Sequence, residues 1–326
     1  MKNIFITGAN GYIGAHLSKK FAENGFNISG LCYRKEPSDK VFTDYFDRLF
    51  IGDIRSDKLI EEISQNKFDT VIHLVSLDHH QSENEPKYVS DINILPTWNL
   101  LEFLSKSGNL EKFIYFSTFQ VYGDIPKKKI SEEFPTAPKN NYGLTHLLSE
   151  KICSFYNRKT DINCINVRLT NSYGSPVFSN NNCWWLVIND LCKMAHAGNN
   201  LMLKSDGAPQ RDFIHRRDVF NAIDLLIKTN EKDIKNNTYH VSSGETLSIL
   251  EIAHQVQRVF NSHYNSNIQV ILPNGKVSAN PNYFNNNSKY TVMNSKLRSL
   301  DWMPNVELAT GIVEIFHYLD KYRVSR

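Results

Sequence analysis

The chain has 326 residues, of which 41% are hydrophobic and 12% aromatic, a composition that excludes a disordered protein and can fill a sizeable core. Its 37 basic and 34 acidic residues leave a formal net charge of +3. Charge therefore gives no argument for nucleic acid or a membrane surface, and we expect neither partner. Five cysteines without CxxC spacing, and an N-terminus without a leader pattern, predict a cytoplasmic protein.

The first half alternates short apolar runs with amphipathic stretches, which is typical of βαβ units and predicts an α/β fold with a doubly wound parallel sheet. The predicted strands are Asn3–Thr7, Asn27–Cys32, Leu49–Ile51, Thr70–Leu74, Phe113–Ser117 and Cys164–Arg168. The predicted helices between them are Tyr12–Glu23, Lys58–Gln65, Ile92–Ser105 and Tyr142–Asn157.

After about Asn171 the pattern is less regular, and we predict a smaller C-terminal lobe that binds substrate across a cleft. The predicted helices of this part are Trp184–Ala197, Asp218–Lys228, Ile249–Phe260 and Val306–Tyr318. We expect a cofactor domain of residues 1–172, to which about 212–242 return, and a lobe of 173–211 and 243–326.

A glycine-rich turn follows the first predicted strand. That strand ends at Thr7, and glycines stand at positions 8, 11 and 14 before a helix. Gly8 permits a tight turn, Gly11 lets the backbone approach a pyrophosphate, and Gly14 allows close packing of helix on strand. The helix N-terminus then faces the phosphate charge. This arrangement predicts a Rossmann fold that binds the dinucleotide NAD(P).

The residue at the end of the second strand contacts the 2′ position of the adenine ribose and so distinguishes NAD from NADP. An acidic residue there accepts hydrogen bonds from the 2′-hydroxyl of NAD and repels the 2′-phosphate of NADP. Here the position holds Cys32, followed by Tyr33, Arg34 and Lys35. The missing carboxylate and the two cations favour NADP (NADPH) over NAD. The alternative is that Arg34 and Lys35 are ordinary surface charges without a role in cofactor binding.

The GxxGxxG spacing resembles that of the extended short-chain dehydrogenase/reductases, the NAD(P)-dependent nucleotide-sugar epimerase/dehydratase family. The likeness covers residues 1 to about 320 and is carried further by Gly52-Asp53-Ile54, Val71–Ser76, the segment around Asn93, and Phe113–Gly123. The resemblance implies a cofactor site formed by Gly8, Asn10, Gly11, Tyr12, Ile13, Gly14, Tyr33, Arg34, Asp53, Ile54, Leu74, Val75, Ser76, Asn93, Ser117, Tyr142, His146 and Leu169.

The family's chemistry uses a tyrosine, a lysine four residues later on the same helix face, and a serine or threonine. The matching catalytic residues here are Tyr142, His146 in the lysine position, and Thr118. A neutral imidazole can still bind the nicotinamide ribose, but it lacks the positive charge for much of the population at neutral pH. We therefore expect weakened catalysis or an altered proton relay, and an inactive relative that only binds its ligands stays open.

The residues after Thr118 narrow the reaction. In the resembling 4,6-dehydratases an Asp and a Glu follow this threonine, whereas this chain has Phe119 and Gln120, which cannot act as general acid or base. What remains is oxidoreduction at one carbon. We predict a 4-keto sugar-nucleotide reductase that uses NADPH, with a nucleotide-sugar 4-epimerase that retains NAD as the alternative.

Two more segments that resemble the family predict residues that bind the substrate. Asn171 matches the asparagine that contacts the sugar diphosphate, and Arg211, in a segment that resembles RDFIHV, matches the arginine that pairs with the phosphates. Thr118 and Phe119 are the other predicted substrate contacts. We predict no metal site. The resemblance also implies a homodimer, in which helices Ile92–Ser105 and Tyr142–Asn157 form a four-helix bundle with their copies.

Overall fold

The computed structural model describes residues 2–33, 37, 39–125, 128–234, 237–278 and 289–322. The strands in chain order are Asn3–Thr7 (β1), Asn27–Cys32 (β2), Arg48–Ile51 (β3), Thr70–His73 (β4), Lys112–Thr118 (β5), Lys129–Ile130 (β6), Asn163–Leu169 (β7), Asn171–Tyr173 (β8), Leu201–Met202 (β9), Gln210–His215 (β10), Thr238–Val241 (β11), Thr246–Ser248 (β12), Val270–Ile271 (β13) and Thr291–Val292 (β14). The helices are Tyr12–Glu23 (α1), Lys40–Thr43 (α2), Asp57–Ser64 (α3), Pro86–Asn93 (α4), Leu95–Ser105 (α5), Asn141–Lys159 (α6), Val187–His196 (α7), Arg216–Lys228 (α8), Ile249–Tyr264 (α9), Ser295–Arg298 (α10) and Leu308–Tyr322 (α11).

Seven parallel strands form the central sheet, in the spatial order β11-β7-β5-β4-β1-β2-β3. The chain runs outward from β1 in one direction through β2 and β3, and in the other through β4, β5 and β7. The order therefore reverses between β1 and β4, and ligands of such sheets bind at the carboxyl ends of the strands at this point. The predicted α/β class with a doubly wound parallel sheet is confirmed.

Helices cover both faces of the sheet, as parallel strands that are apolar on both sides require. On one face, α1 and α8 pack through side chains such as Leu17, Phe21 and Ile223. On the other face, α3, α5 and α6 contribute side chains such as Ile60 and Leu101. None of the helices in the described ranges is long and apolar enough to cross a membrane.

The C-terminal lobe has a separate core between α7, α9 and α11. Strands β8, β10 and β12 form a small sheet beside the carboxyl edge of the central one, and two strand pairs, β13 with β9 and β14 with β6, complete the lobe and its junction. Strand β11 returns to the edge of the central sheet by pairing with β7.

One predicted helix is broken in the structure, and another begins later than expected. The helix predicted over Ile92–Ser105 is broken, because α4 ends at Asn93 and α5 begins at Leu95. Pro96 has no amide hydrogen to donate to the carbonyl of Ile92, so one continuous helix loses a bond there. The helix predicted to begin at Trp184 begins at Val187, and Trp184 and Trp185 lie in the preceding turn.

Candidate active site

The glycine turn between β1 and α1 leaves its backbone open to a ligand. Gly8 has a φ of +66°, in the left-handed region that favours glycine. A Cβ at Gly14 would lie 2.1 Å from the Gly8 carbonyl oxygen, so this position excludes any side chain. Gly11 precedes α1, is exposed, and brings no side-chain cap to the helix N-terminus. The uncapped amides fit the diphosphate of a dinucleotide.

The end of β4 lies directly against this turn. The position that a Cβ of Gly8 would occupy is 3.4 Å from Cγ2 of Val75. The amide of Leu74 donates to the hydroxyl oxygen of Thr7 at 3.0 Å, which ties the ends of β1 and β4 together. Ser76 follows in the same half-buried stretch. The predicted cofactor residues 74–76 therefore line the edge of the sheet beside the glycine turn.

The residues predicted to contact the adenosine part of the cofactor lie at the ends of β2 and β3. Cys32 is fully buried, whereas the side chain of Tyr33 is 49% exposed. The Asp53 carboxylate accepts hydrogen bonds from Arg55, at 3.0 and 3.1 Å from its Nε, and Ile54 is buried beside it. Arg34 lies outside the described residues.

Two hydrogen bonds join the glycine turn to the C-terminal lobe. The side-chain amide of Asn181 donates to the carbonyl of Asn10 at 3.0 Å. The phenol of Tyr12 donates to the carbonyl of Gly174 at 3.2 Å. Ile13 packs into the core between α1 and the sheet. Predicted cofactor residues 10 to 13 are thus brought together with the segment that follows β8.

Asn93 is almost completely buried and bonds within the protein. Its side-chain oxygen accepts from the amide of Leu77 at 2.7 Å, and its amide donates to the hydroxyl of Thr145 at 3.0 Å. These bonds fasten the loop after β4 to the start of α6. A direct contact of Asn93 with the cofactor stays a prediction, and the observed bonds give it the task of holding this loop.

Tyr142 is the second residue of α6, whose N-terminus is capped by Asn140. Burial raises the pKa of its phenol to about 12. Hydrogen bonding from Thr118 and Ser76 acts in the opposite direction, while the Asp78 carboxylate raises the pKa further. The structure thus brings the predicted catalytic residues Thr118 and Tyr142 together at the carboxyl end of β5.

His146 lies one helical turn after Tyr142, with the two ring centroids 4.5 Å apart. It is buried, and its Nδ1 is 2.8 Å from the hydroxyl oxygen of Tyr115 on β5. Burial lowers the pKa of the imidazole to about 4, so the ring is neutral at neutral pH. The predicted lack of a positive charge at this position therefore agrees with its surroundings.

A buried ionic network behind the site was not predicted from the sequence. Arg168 on β7 forms a salt bridge with Glu150 on α6 at 2.7 Å, and both side chains are almost fully buried. The hydroxyl of Ser117 donates to Glu150 at 2.6 Å, and Arg168 also donates to the phenol of Tyr122 at 2.6 Å. The network fixes α6 against β5 and β7, and Leu169 follows it at the end of β7.

The predicted substrate residues lie around the small sheet. The amide of Asn171 donates to the carbonyl of Asp212 at 3.0 Å, so β8 holds it next to the segment of Arg211. Arg211 is exposed. Burial raises the pKa of the nearby Tyr290 phenol to about 12, and the positive charge of Arg211 opposes part of that rise. The ring of Phe119 stacks on Tyr290 at 5.9 Å. Tyr290 thus lies near both Arg211 and Phe119, and the role of the predicted residues in binding substrate stays a prediction.

The model of the NAD dependent epimerase/dehydratase family matches residues 4–242. The chain belongs to this family. The predicted membership of the extended short-chain dehydrogenase/reductases is confirmed, and so is the prediction of a nicotinamide-dependent enzyme of this group.

Curated relatives of the family match most of the chain. A UDP-glucose 4-epimerase of Oryza sativa subsp. japonica is 29% identical over 287 residues, which are 79% of this chain and 76% of that protein. The trifunctional UDP-glucose 4,6-dehydratase/UDP-4-keto-6-deoxy-D-glucose 3,5-epimerase/UDP-4-keto-L-rhamnose-reductase of Arabidopsis thaliana is 26% identical over 325 residues. That match covers 95% of this chain, which spans 46% of the length of the plant protein.

Solved structures show the same fold. The UDP-glucose 4-epimerase of Thermotoga maritima with UDP-glucose gives a TM-score of 0.81 at 22% identity, over 98% of this chain and 99% of that one. The UDP-glucuronic acid 4-epimerase of Bacillus cereus in complex with UDP-glucuronic acid and NAD gives 0.77 at 23% identity, over 98% and 99%.

Proposed function

We propose that this protein catalyses oxidoreduction at C4 of a nucleotide-activated sugar. The observation that carries the proposal is the pairing of Thr118 with Tyr142 at the sheet edge, beside a glycine turn with an uncapped helix N-terminus. Nucleotide sugars are the substrates named for the relatives in rice and Arabidopsis. The cofactor, when bound, supplies or accepts the hydride.

The side chains divide the work as follows. The hydroxyl of Thr118 holds the sugar oxygen at C4, and the phenol of Tyr142 exchanges a proton with the same oxygen. Asn171 and Arg211 bind the diphosphate of the substrate, since a guanidinium fork suits phosphate oxygens. The backbone amides at the start of α1 hold the diphosphate of the cofactor.

The first candidate reaction is the reduction of a 4-keto sugar nucleotide with NADPH. Position 32 at the end of β2 carries a buried thiol, where an acidic residue would accept the 2′-hydroxyl of NAD and repel a 2′-phosphate. A reductase exchanges its cofactor in every turnover. Phe119 and Gln120 supply no acid or base for elimination of water, which argues against a 4,6-dehydratase.

The second candidate is 4-epimerisation with a retained NAD. It is favoured by the likeness to UDP-glucose 4-epimerases, including a structure whose fold matches over nearly the full length of both chains. Epimerisation needs the same pair, Thr118 and Tyr142, and returns the hydride to the opposite face of the sugar. It causes no net change in the cofactor.

Two assays with purified protein separate the candidates. A reductase consumes NADPH absorbance when UDP-4-keto-6-deoxyglucose is added, whereas an epimerase interconverts UDP-glucose and UDP-galactose without net absorbance change. In the active assay we expect Tyr142→Phe to lower kcat by about 10²–10⁴-fold, the usual contribution of a general acid, with cofactor affinity unchanged. Binding of cofactor and sugar nucleotide without turnover in either assay would contradict the proposal and favour a ligand-binding relative.

We also propose a homodimer formed through α4, α5 and α6. Large apolar side chains on these neighbouring helices are exposed in the single chain, namely Tyr88, Leu95, Trp98, Leu144, Leu148 and Phe155. Exposed apolar side chains on helices that pack against one another favour burial against a second copy. Light scattering coupled to size exclusion should give twice the chain mass, and Trp98→Glu should give a monomer. Trp185→Glu, at an exposed tryptophan outside this surface, should leave the dimer intact.

A further inference from the structure

A second imidazole lies against the proposed catalytic phenol. The rings of His79 and Tyr142 meet almost perpendicularly, at 86°, with their centroids 6.4 Å apart. His79 is exposed, and it belongs to the loop that also carries Ser76 and Asp78 toward the phenol. An edge-on arrangement at this distance allows a direct hydrogen bond after a small rotation, or one bridging water.

His146 is poorly suited to exchange the proton of Tyr142 with solvent. Its Nδ1 is engaged by the Tyr115 hydroxyl, its Nε2 is buried, and its surroundings keep the ring neutral. The groups that act on the phenol in the described structure are the Thr118 and Ser76 hydroxyls and the Asp78 carboxylate. Neither hydroxyl carries a proton through to water at neutral pH as readily as an imidazole does.

The loop that carries His79 is held in place on α6. Asn93 binds the amide of Leu77 and the hydroxyl of Thr145 on α6. The Glu83 carboxylate accepts from the amide of Asn141, at the start of the same helix, at 3.2 Å. Because both ends of the loop are bonded near Tyr142, the position of His79 beside the phenol is built into the fold.

We propose that His79 is a positioning residue that relays protons between Tyr142 and solvent. The inference rests on the proposed function. In the reductive direction the phenol gives its proton to the C4 oxygen of the sugar and becomes a phenolate. The N–H of the His79 imidazolium then protonates the phenolate, and the neutral imidazole takes its next proton from water. In the oxidative direction each transfer runs in reverse.

The charged and titratable groups around His79 fit this task. Asp78 precedes it in the chain, and His80 follows with its ring centroid 5.4 Å away. Glu83 on the next turn adds a second carboxylate at the N-terminus of α6. On α6 the facing groups are Tyr142 and, behind it, His146. A relay residue needs such access to both the phenol and water.

The kinetic test compares four variants of the protein, of which His79→Ala is the one used for rescue by added imidazole. His79→Phe keeps a ring against Tyr142, His79→Gln keeps a polar group, and His80→Gln is the matched control at the adjacent exposed histidine. We expect both changes at His79 to lower kcat at neutral pH by about tenfold or more, with KM unchanged, and His80→Gln to leave both constants unchanged. Added imidazole should restore His79→Ala. Wild-type kcat and an unaltered pH profile in His79→Phe would overturn the proposal.

A second measurement does not depend on turnover. The NMR chemical shifts of the His79 imidazole should change in Tyr142→Phe, because the ring loses the phenol hydroxyl beside it. Identical His79 resonances in wild type and Tyr142→Phe would overturn the relay even in an active enzyme. If neither substrate assay shows turnover, the proposed function fails while these resonances still decide whether His79 and Tyr142 are in contact.

Discussion

Position 146 shows how one residue changes the chemistry of its neighbour. A lysine there would place an ammonium group close to Tyr142, and the positive charge would favour the phenolate. The imidazole that is present is buried, neutral, and bonded to the hydroxyl of Tyr115. Tyr142 therefore lacks the charge that lowers the pKa of a catalytic tyrosine, and burial raises that pKa instead.

We predict that His146→Lys raises kcat at neutral pH by about tenfold and moves the rising limb of the pH–rate profile to lower pH, since the ammonium would stabilise the phenolate. The buried amine would find the Tyr115 hydroxyl as an acceptor. The measurement is kcat as a function of pH, with His146→Gln as the uncharged control. No gain in His146→Lys would mean that this position does not limit proton transfer.

Part of the candidate site could be predicted from the sequence, because the residues concerned are close to one another in the chain. The glycine turn and the Tyr142–His146 pair each lie within one local segment, so the glycine spacing and the family resemblance were enough to name these residues. The Glu150–Arg168 bridge and the Tyr115–His146 contact join different elements. They depend on β5 and β7 being neighbours, which local periodicity does not encode.

Among the elements, the first βαβ unit was predicted to the residue, with β1, α1 and β2 bounded as expected. A strand that ends in a glycine turn and a helix that begins there leave little freedom in the boundaries. The short strands β8, β10 and β12 were not predicted, because their pattern becomes apparent only when they pair. The proposed boundaries of the two lobes stay a prediction.

A buried lysine binds the C-terminal end of α8, one of the helices that cover the sheet. Lys112 starts β5, and its ammonium donates to the carbonyls of Leu226, Ile227 and Thr229 at the end of α8. Carbonyls at the end of a helix generally lack partners within the helix, and a cation at a helix C-terminus also favours the helix dipole.

We predict that Lys112→Met lowers the free energy of unfolding by about 2 kcal/mol, because buried carbonyls lose a charged donor. Urea denaturation measures the change. Lys2→Met is the control, since Lys2 makes only an exposed bridge to Glu111 and such bridges contribute less than about 1 kcal/mol. Equal effects of the two substitutions would show that the ammonium does not stabilise the end of α8.

For the molecule as a whole, buried histidines determine the response to acid. Burial is the main cause that lowers the pKa of His146 to about 4 and of His73, His215 and His240 to about 3. His16 is lowered well below its usual value for the same reason. These rings stay neutral in the folded chain at a pH where the unfolded chain binds protons.

We therefore predict that stability is fully present above about pH 6.5 and falls as the pH is lowered toward 4, since the unfolded state gains protons that the folded state does not accept. Each histidine costs on the order of 1 kcal/mol near pH 5.5. Thermal unfolding as a function of pH checks this, and His146→Gln should make the slope shallower by about one proton. A melting temperature independent of pH over this range would contradict the prediction.

The bonds from Asn181 to the carbonyl of Asn10 and from Tyr12 to that of Gly174 have a thermodynamic consequence. They connect the glycine turn to the chain segment that follows Asn171. A displacement of the glycine turn therefore displaces that segment, and the reverse also holds. Two ligands bound at opposite ends of such a connection should be linked, and linkage is reciprocal. Whatever factor a sugar nucleotide imposes on the dissociation constant of the dinucleotide, the dinucleotide must impose on that of the sugar nucleotide.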